Sequence, residues 1–286
     1  MILAIASGKG GTGKTTLAVN LACVFGSGVR LLDCDVEEPN AGLFLGGETE
    51  AAEVVTIPVP EVDESLCDGC GECGRICRYG AIVSFGAAPI VFSEMCHGCG
   101  GCARVCPRGA IREVGRRIGV IERVRAGAVT LVQGRLDVGG VLVPPLIRAV
   151  RAHASGPGPV IIDAPPGTSC PVIAAVRGSD FVLLVTEPTP FGLHDLTLAV
   201  ETVRALGLPF GLVVNRVGIG DERVHAYAHH ENIPILLDIP DDRKIAEAYA
   251  RGRLIIEACP EYDSLFRSLA AKIRDICGKE SAHADV

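Results

Sequence analysis

Hydrophobic positions along the chain fall into short runs separated by polar and glycine-rich stretches. ILAIA (2–6) is apolar throughout, SGKGGTGKTT is a glycine-rich turn, and LAVNLACVF is apolar at helical spacing, so residues 2–25 predict strand, loop and helix. VRLLDCD (29–35) predicts a second strand that ends in carboxylates. From Pro159 the alternation resumes as PVIID, a helix near 170–177, DFVLLVT, a helix near 191–206, FGLVVN, a helix near 221–230, IPILLDIP and a helix near 242–251. Strands that alternate with helices in this way predict an α/β fold, a mostly parallel sheet with helices on both faces. RRIGVIERV and AVTLVQGRLDV (116–138) predict a strand pair that joins the sheet at an edge the pattern does not specify, and LFRSLAAKIRDIC (265–277) predicts an amphipathic helix packed on the sheet.

Between these blocks the pattern changes. After residue 60 the chain is rich in Cys and Gly with only short strand-like pieces, AIVSF and PIVF, and regular patterns return after about residue 113. The expected organisation is therefore one domain in two parts, 1–60 and 114–277, an α+β insert at 61–113, and a polar, frayed tail at 278–286. With 286 residues, 48% hydrophobic and 21% charged, most of the length is expected to fold. A net charge of −7 argues against a basic nucleic-acid surface, so no nucleic-acid partner is expected. No apolar run approaches the roughly 20 residues that span a bilayer, and the N-terminus lacks a charged leader, so a cytoplasmic protein with no stable membrane anchor is expected. Eight of the 13 cysteines crowd between Cys67 and Cys106, which reads as metal ligation and not as a disulfide framework.

The segment GKGGTGKTT (8–16) matches the phosphate-loop pattern G-x-x-x-x-G-K-[ST] and sits between a predicted strand and helix. Gly8, Gly10, Gly11, Thr12, Gly13, Lys14, Thr15 and Thr16 are the expected nucleotide-binding residues. The glycines let backbone N–H groups close around phosphate, Lys14 reaches the β- and γ-oxygens, and Thr15 offers its hydroxyl to Mg²⁺. For the base, Asn215 at the end of FGLVVN has an amide able to pair with adenine, and no carboxylate follows it as guanine would require, so ATP is expected over GTP.

Lys9 is an additional lysine inside the loop. KGGTGKTT resembles the deviant Walker A box of the MinD, ParA, Mrp and nitrogenase-iron-protein class of ATPases, and the resemblance implies that Lys9 reaches the nucleotide of the partner subunit in a head-to-head dimer. It further implies that LLDCDVEEPN is switch I, with Asp35 orienting water, and that VIIDAPPGT (160–168) is Walker B and switch II. There Asp163 would hold Mg²⁺ through water, and the Gly167 amide would feel the γ-phosphate. By the same resemblance, Pro240 and Asp241 lie against the adenine.

CDGCGECGRIC (67–77) and CHGCGGCARVCP (96–107) both have the C-x₂-C-x₂-C-x₃-C spacing of bacterial ferredoxins, in which the fourth cysteine of each run serves the other cluster. Two 4Fe-4S clusters are expected, one on Cys67, Cys70, Cys73 and Cys106, the other on Cys96, Cys99, Cys102 and Cys77. Zinc is the competing metal, although it leaves the third cysteine of each run unused. Arg78 stands where the second run has Pro107. Cys170 is expected to be a buried apolar thiol, and His225 and His229 a solvated pair on a helix.

Over residues 1–277 the chain resembles the MinD-superfamily ATPases that carry an inserted bacterial-type ferredoxin domain; TEPTPFGLHDL (186–196), DIPDDRKIAEAYARG (238–252) and GRLDVGG (134–140) also match that family. The resemblance implies an ATP-hydrolysing dimeric switch, a homodimer or a heterodimer with a similar ATPase, coupled to electron transfer with a redox partner protein. A positioning or partitioning ATPase with redox-sensing clusters and an iron-sulfur cluster carrier are the alternatives.

Overall fold

A computed structural model describes residues 1–284, with side chains described as far as residue 278. The elements in order are β1 (Ile2–Ala6), α1 (Lys14–Phe25), β2 (Val29–Asp33), α2 (Ala41–Leu45), β3 (Glu48–Val62), α3 (Glu72–Ile76), β4 (Ile82–Val83), β5 (Ile90–Val91), α4 (Gly101–Val105), β6 (Ile111–Ala126) and β7 (Val129–Leu136). There follow α5 (Val143–Ala152), β8 (Val160–Asp163), α6 (Cys170–Val176), β9 (Phe181–Thr186), α7 (Pro190–Ala205), β10 (Phe210–Val217), α8 (Arg223–His230), β11 (Ile235–Pro240), α9 (Arg243–Ala250), α10 (Ile255–Ala258) and α11 (Asp263–Ala284). Among the described residues the main sheet has nine strands in the order β11-β10-β9-β1-β8-β2-β7-β6-β3. From β11 to β7 all neighbours run parallel. The strand pair of undetermined edge adjoins β2 through β7, and β6 runs antiparallel to both β7 and β3.

Alternation within each central strand produces the two layers. Ala4 and Ala6 face one apolar cluster with Leu146, Ile147, Val172, Val200 and Val224, which places α5, α6, α7 and α8 on that side. Leu3 and Ile5 face the other cluster with Leu17, Leu21, Ile255, Phe266 and Ile273, which places α1, α10 and α11 opposite. Phe266 anchors α11 with 1% of its surface exposed, a burial whose loss in Phe266→Ala costs about 3–5 kcal/mol. The polar tail expected at 278–286 continues α11 as far as Ala284, and its last two residues lie outside the described residues.

Two elements depart from the sequence pattern. β3 runs for 15 residues through Pro58 and Pro60, which it tolerates because it is an edge strand and needs partners on one side alone. α5 starts on Val143-Pro144-Pro145, where first-turn prolines lack only N–H groups that would be orphaned in any case.

β7 ends at Leu136, opposite Gly119 of β6, so residues 111–118 of β6 project past the carboxyl end of the parallel strands. They stay paired there with residues 56–62 of β3, forming a two-stranded ribbon. Residues 63–110 hang from its tip around a small core of Cys73, Ile82 and Ile111. The cysteine-rich unit and the loop before α1 therefore lie off the same end of the sheet.

Candidate functional site

The loop between β1 and α1 turns through Gly13, which has φ +96° and caps the helix in the left-handed region. A Cβ there would also stand 2.5 Å from Asn215 Nδ2, so both backbone angle and space require glycine. Asn215 donates to Thr12 O at 2.8 Å and accepts from Arg216 N at 3.0 Å. Its amide thus braces the loop and has one N–H left over, a bracing role that its place at a strand end did not disclose.

A cleft of about 400 Å³ opens beside the loop. Its lining includes Gly10, Gly11, Gly13, Lys14, Thr15, Thr16, Asp35, Asn215, Pro240 and Asp241. Gly8 lies behind the cleft, where a Cβ would fall 2.1 Å from Asp195 O on α7. Gly167 also lies outside the lining; its N–H donates to Ser7 O at 3.0 Å, so in this conformation the amide expected to feel phosphate is engaged. At the far end of the cleft Ile239, Ile245 and Tyr249 present apolar surface that the motifs did not announce.

At the floor, Thr15 Oγ1 donates to Asp163 Oδ2 at 2.5 Å, while Asp163 Oδ1 and Thr12 Oγ1 are buried without a hydrogen-bond partner. Asp33 is fully buried and accepts from the backbone of Asp35, Asn40 and Ala41, folding the segment after β2. Burial pushes the Asp33 and Asp163 carboxyls above the ordinary range and raises Asp35 to about 6; burial also lowers Lys14. A carboxyl whose pKa is higher folded than unfolded binds more protons when folded, so each costs stability as pH rises from about 4 upward. Asp163→Asn is accordingly expected to stabilise the nucleotide-free protein by about 2 kcal/mol at pH 8 and by less at pH 5. Thermal melts at the two pH values check this, and a difference independent of pH would refute it.

Lys9 is not among the residues that line the cleft, although Arg216, its neighbour on Glu187, is. Its Nζ lies 3.0 Å from Glu187 Oε2, and Arg216 contacts Glu187 Oε1 at 2.7 Å. Glu187 is 6% exposed, a buried carboxylate held between two cations. TEPTPFGLHDL (186–196) marks its segment but not these ion pairs, because the partners come from segments remote along the chain. Phe191, at the start of α7, is 78% exposed.

The eight clustered cysteines are free thiols gathered around two cavities. One is lined by Cys67, Cys70, Cys73 and Cys106, together with Asp68, Glu72 and Arg108. The second is lined by Cys77, Cys96, Cys99 and Cys102, together with Pro58, Tyr79, His97 and Glu113. Backbone N–H groups point at sulfur: Gly98 to Cys96 Sγ at 3.4 Å and Ala110 to Cys106 Sγ at 3.3 Å. Burial pushes the Cys77 thiol up, but N–H groups of Tyr79, Ala81, Ile82 and Gly80 outweigh it and hold the thiol below its ordinary value. Among the described residues, no group of three or more His, Cys, Asp or Glu side chains gathers into a set that could hold a metal ion.

Cys170 opens α6 and is exposed, contrary to the buried thiol expected, because the first turn of this short helix turns it to solvent. His225 pairs with Asp238 at 3.2 Å and Glu222 at 3.5 Å and not with His229. No helix among the described residues is long and apolar enough to cross a membrane.

An uncharacterised protein of Methanocaldococcus jannaschii is 32% identical over 262 residues, covering 90% of this chain and 92% of its own. An iron-sulfur cluster carrier protein of Pyrococcus abyssi is 26% identical over 308 residues, covering 97% and 88%. The septum site-determining protein MinD of Pyrococcus horikoshii, complexed with Mg-ADP, shares the fold with a TM-score of 0.62 at 23% identity, covering 97% of both chains. Residues 3–255 match the CobQ/CobB/MinD/ParA nucleotide binding domain, and the chain belongs to that family.

Proposed function

We propose that this protein is a cytoplasmic, Mg²⁺-dependent ATPase that works as a dimeric switch and is coupled to electron transfer through two 4Fe-4S clusters. The observation that carries the reading is the placement of two four-cysteine cavities on a ribbon off the same end of the sheet as the phosphate-loop cleft. Lys14 would bind the β- and γ-oxygens, Asn215 would give its spare N–H to the base, and Pro240 and Asp241 would line the base site. The buried, unpartnered Asp163 Oδ1 beside Thr15 suits a hydrated Mg²⁺. Asp35 would orient the attacking water, and charge on the transferring phosphoryl group would be met by Lys14 and by Lys9 of the facing protomer. The exposed Phe191 beside the Lys9–Glu187 pair supports a protein contact there. Release of the Gly167 N–H from Ser7 would let switch II respond to phosphate.

The cysteine cavities fit a cluster better than an ion. Each thiolate of a four-iron cluster binds a different iron, so the ligands ring a cavity and do not converge on a point, and N–H groups aimed at sulfur stabilise the anionic form. When bound, the clusters would supply one-electron transfer. Residues 61–113 would then be a ferredoxin domain within an ATPase of two parts, 1–60 and 114–277.

ATP hydrolysis measured anaerobically with the cysteine sites poised oxidised and reduced tests the coupling. A rate that differs between the two states is expected, and identical rates would refute it. Lys14→Ala is expected to weaken ATP binding about 100-fold, two to three kcal/mol for a charge-assisted contact to phosphate, measured by titration calorimetry. The carrier name of the Pyrococcus abyssi relative favours a second reading, cluster delivery. Transfer of iron to an apo-ferredoxin during ATP turnover would select it.

A further inference from the structure

The two cysteine cavities are tied to the rest of the molecule in different ways. Cys96 of the second cavity is buried in the large apolar cluster on one face of the sheet, which also holds Cys34 and Val36 on either side of Asp35, and Cys77 packs against the same cluster. Of the first cavity's cysteines, Cys73 and Cys106 pack in the small core of Ile82 and Ile111, and none reaches the large cluster among the described residues.

The two runs also rest on different supports. A Cβ at Gly98 would stand 3.1 Å from Pro58 O and one at Gly100 3.1 Å from Glu113 Oε1, so the second run lies directly on the ribbon. Just before it, Glu94 Oε2 accepts from Arg116 Nη1 at 2.6 Å. At the matched positions of the first run, a Cβ at Gly69 would stand 2.9 Å from Gly86 O and one at Gly71 3.6 Å from Ser84 Oγ. That run therefore lies on the connection between β4 and β5, where Phe85 is 80% exposed. Its cavity is lined by Val62 and Ile111, two residues beyond the Pro60 and Glu113 of the second and so roughly 7 Å further out along the ribbon.

The ribbon in turn is fastened to the segment after β2. Val36 O accepts from Leu136 N at 2.8 Å, and Asp137 N donates to Ile118 O at 3.0 Å. Arg117 grips Asp137 with two bonds, Nε to Oδ2 at 2.9 Å and Nη2 to Oδ1 at 3.0 Å. Ile118 is buried in the cluster that contains Val36 and Cys96. A close-packed interior passes a displacement on, whereas an exposed connection absorbs it.

We infer that the second site, Cys77, Cys96, Cys99 and Cys102, is the one that senses the nucleotide, by way of Val36, the end of β7 and the ribbon, and that the first site stands outside this linkage. The inference rests on the coupled-switch reading above. The segment after β2 would take one arrangement with a γ-phosphate bound and another without. A move of Val36 is shared by Leu136, Ile118 and Cys96, and it alters how N–H groups such as that of Gly98 face the sulfurs of the second cavity.

Redox titration with dithionite of anaerobically prepared full-length protein, in ADP and in a non-hydrolysable ATP analogue and followed by electron paramagnetic resonance, tests this. Cys70→Ser and Cys99→Ser replace the matched, exposed second cysteine of each run and leave one site apiece. Cys70→Ser protein, which keeps the second site, is expected to shift by about 59 mV or more between the two nucleotides, a tenfold difference in affinity. Cys99→Ser protein, which keeps the first, is expected to give superimposable curves. Hydrogen exchange of the wild type is expected to differ between the nucleotides at residues 93–101 and 111–118 and to match at 66–74; if a variant holds no iron, this measurement decides. A shift at the first site as large as at the second, or exchange that changes at 66–74 and not at 93–101, would overturn the inference and leave the switch reading intact. Curves and exchange that ignore the nucleotide at both sites would overturn the coupling itself, and wild-type protein without iron and sulfide the cluster reading.

Discussion

Lys9→Ala protein is expected to bind ATP with near-wild-type affinity and to hydrolyse it about 10³-fold more slowly, the range in which a charge supplied across an interface acts on phosphoryl transfer. Its Nζ is committed to Glu187 at 3.0 Å in the single protomer, away from the lining of the cleft. Binding should therefore not depend on it, while a transition state completed by a second protomer should. Folding is not at risk, because Arg216 remains to neutralise the buried Glu187 carboxylate. Glu187→Gln is the complementary case. It frees Lys9 and Arg216, both partly exposed and able to be hydrated, so hydrolysis is expected to persist. Steady-state hydrolysis beside nucleotide titration measures both variants, and a Lys9→Ala rate equal to wild type would remove the trans-acting assignment.

Cys106→Ser protein is expected to retain about four irons of about eight, and the four it loses are those of the first run, although Cys106 belongs to the second. The cavity that Cys106 lines is shared with Cys67, Cys70 and Cys73. Pairs of substitutions expose the crossing. Cys67→Ser with Cys106→Ser touches one cavity and is expected to lose no more iron than either alone, whereas Cys67→Ser with Cys77→Ser touches both and is expected to lose all. Iron and sulfide analysis of anaerobically purified protein reads the result. The reverse outcome, all the iron lost from Cys67→Ser with Cys106→Ser and half from Cys67→Ser with Cys77→Ser, would mean that each run holds its own metal.

Much of the fold is legible in the chain because its signals are local. The glycine loop between ILAIA and LAVNLACVF needs about 25 residues of context to be recognised, and β1, α1, β2 and the alternation after Pro159 follow the apolar runs. What is not legible depends on position in the sheet. The pattern does not announce β3, since prolines usually end strands and only its edge place makes Pro58 and Pro60 acceptable. α5 is hidden by a proline pair that suits a first turn as well as a loop. Within the site, the phosphate loop and the cysteine runs are contiguous motifs. The segment of Glu187 is legible but its pairing is not, since Lys9 and Arg216 are brought to it by three-dimensional folding alone.

The long outer strand of the sheet bears on how the protein behaves when crowded. An unpaired strand edge is a template on which a second chain can add by backbone hydrogen bonds. Along β3 that template is spoiled at both ends. Pro58 and Pro60 remove donors toward the ribbon tip, while Glu48, Glu50 and Glu53 place like charges along the other half, and pairing slips register between Thr49 and Ala51 and between Val55 and Thr56. Two copies meeting edge to edge encounter repulsion and an irregular ladder. The chain is thereby kept from polymerising through its long outer strand.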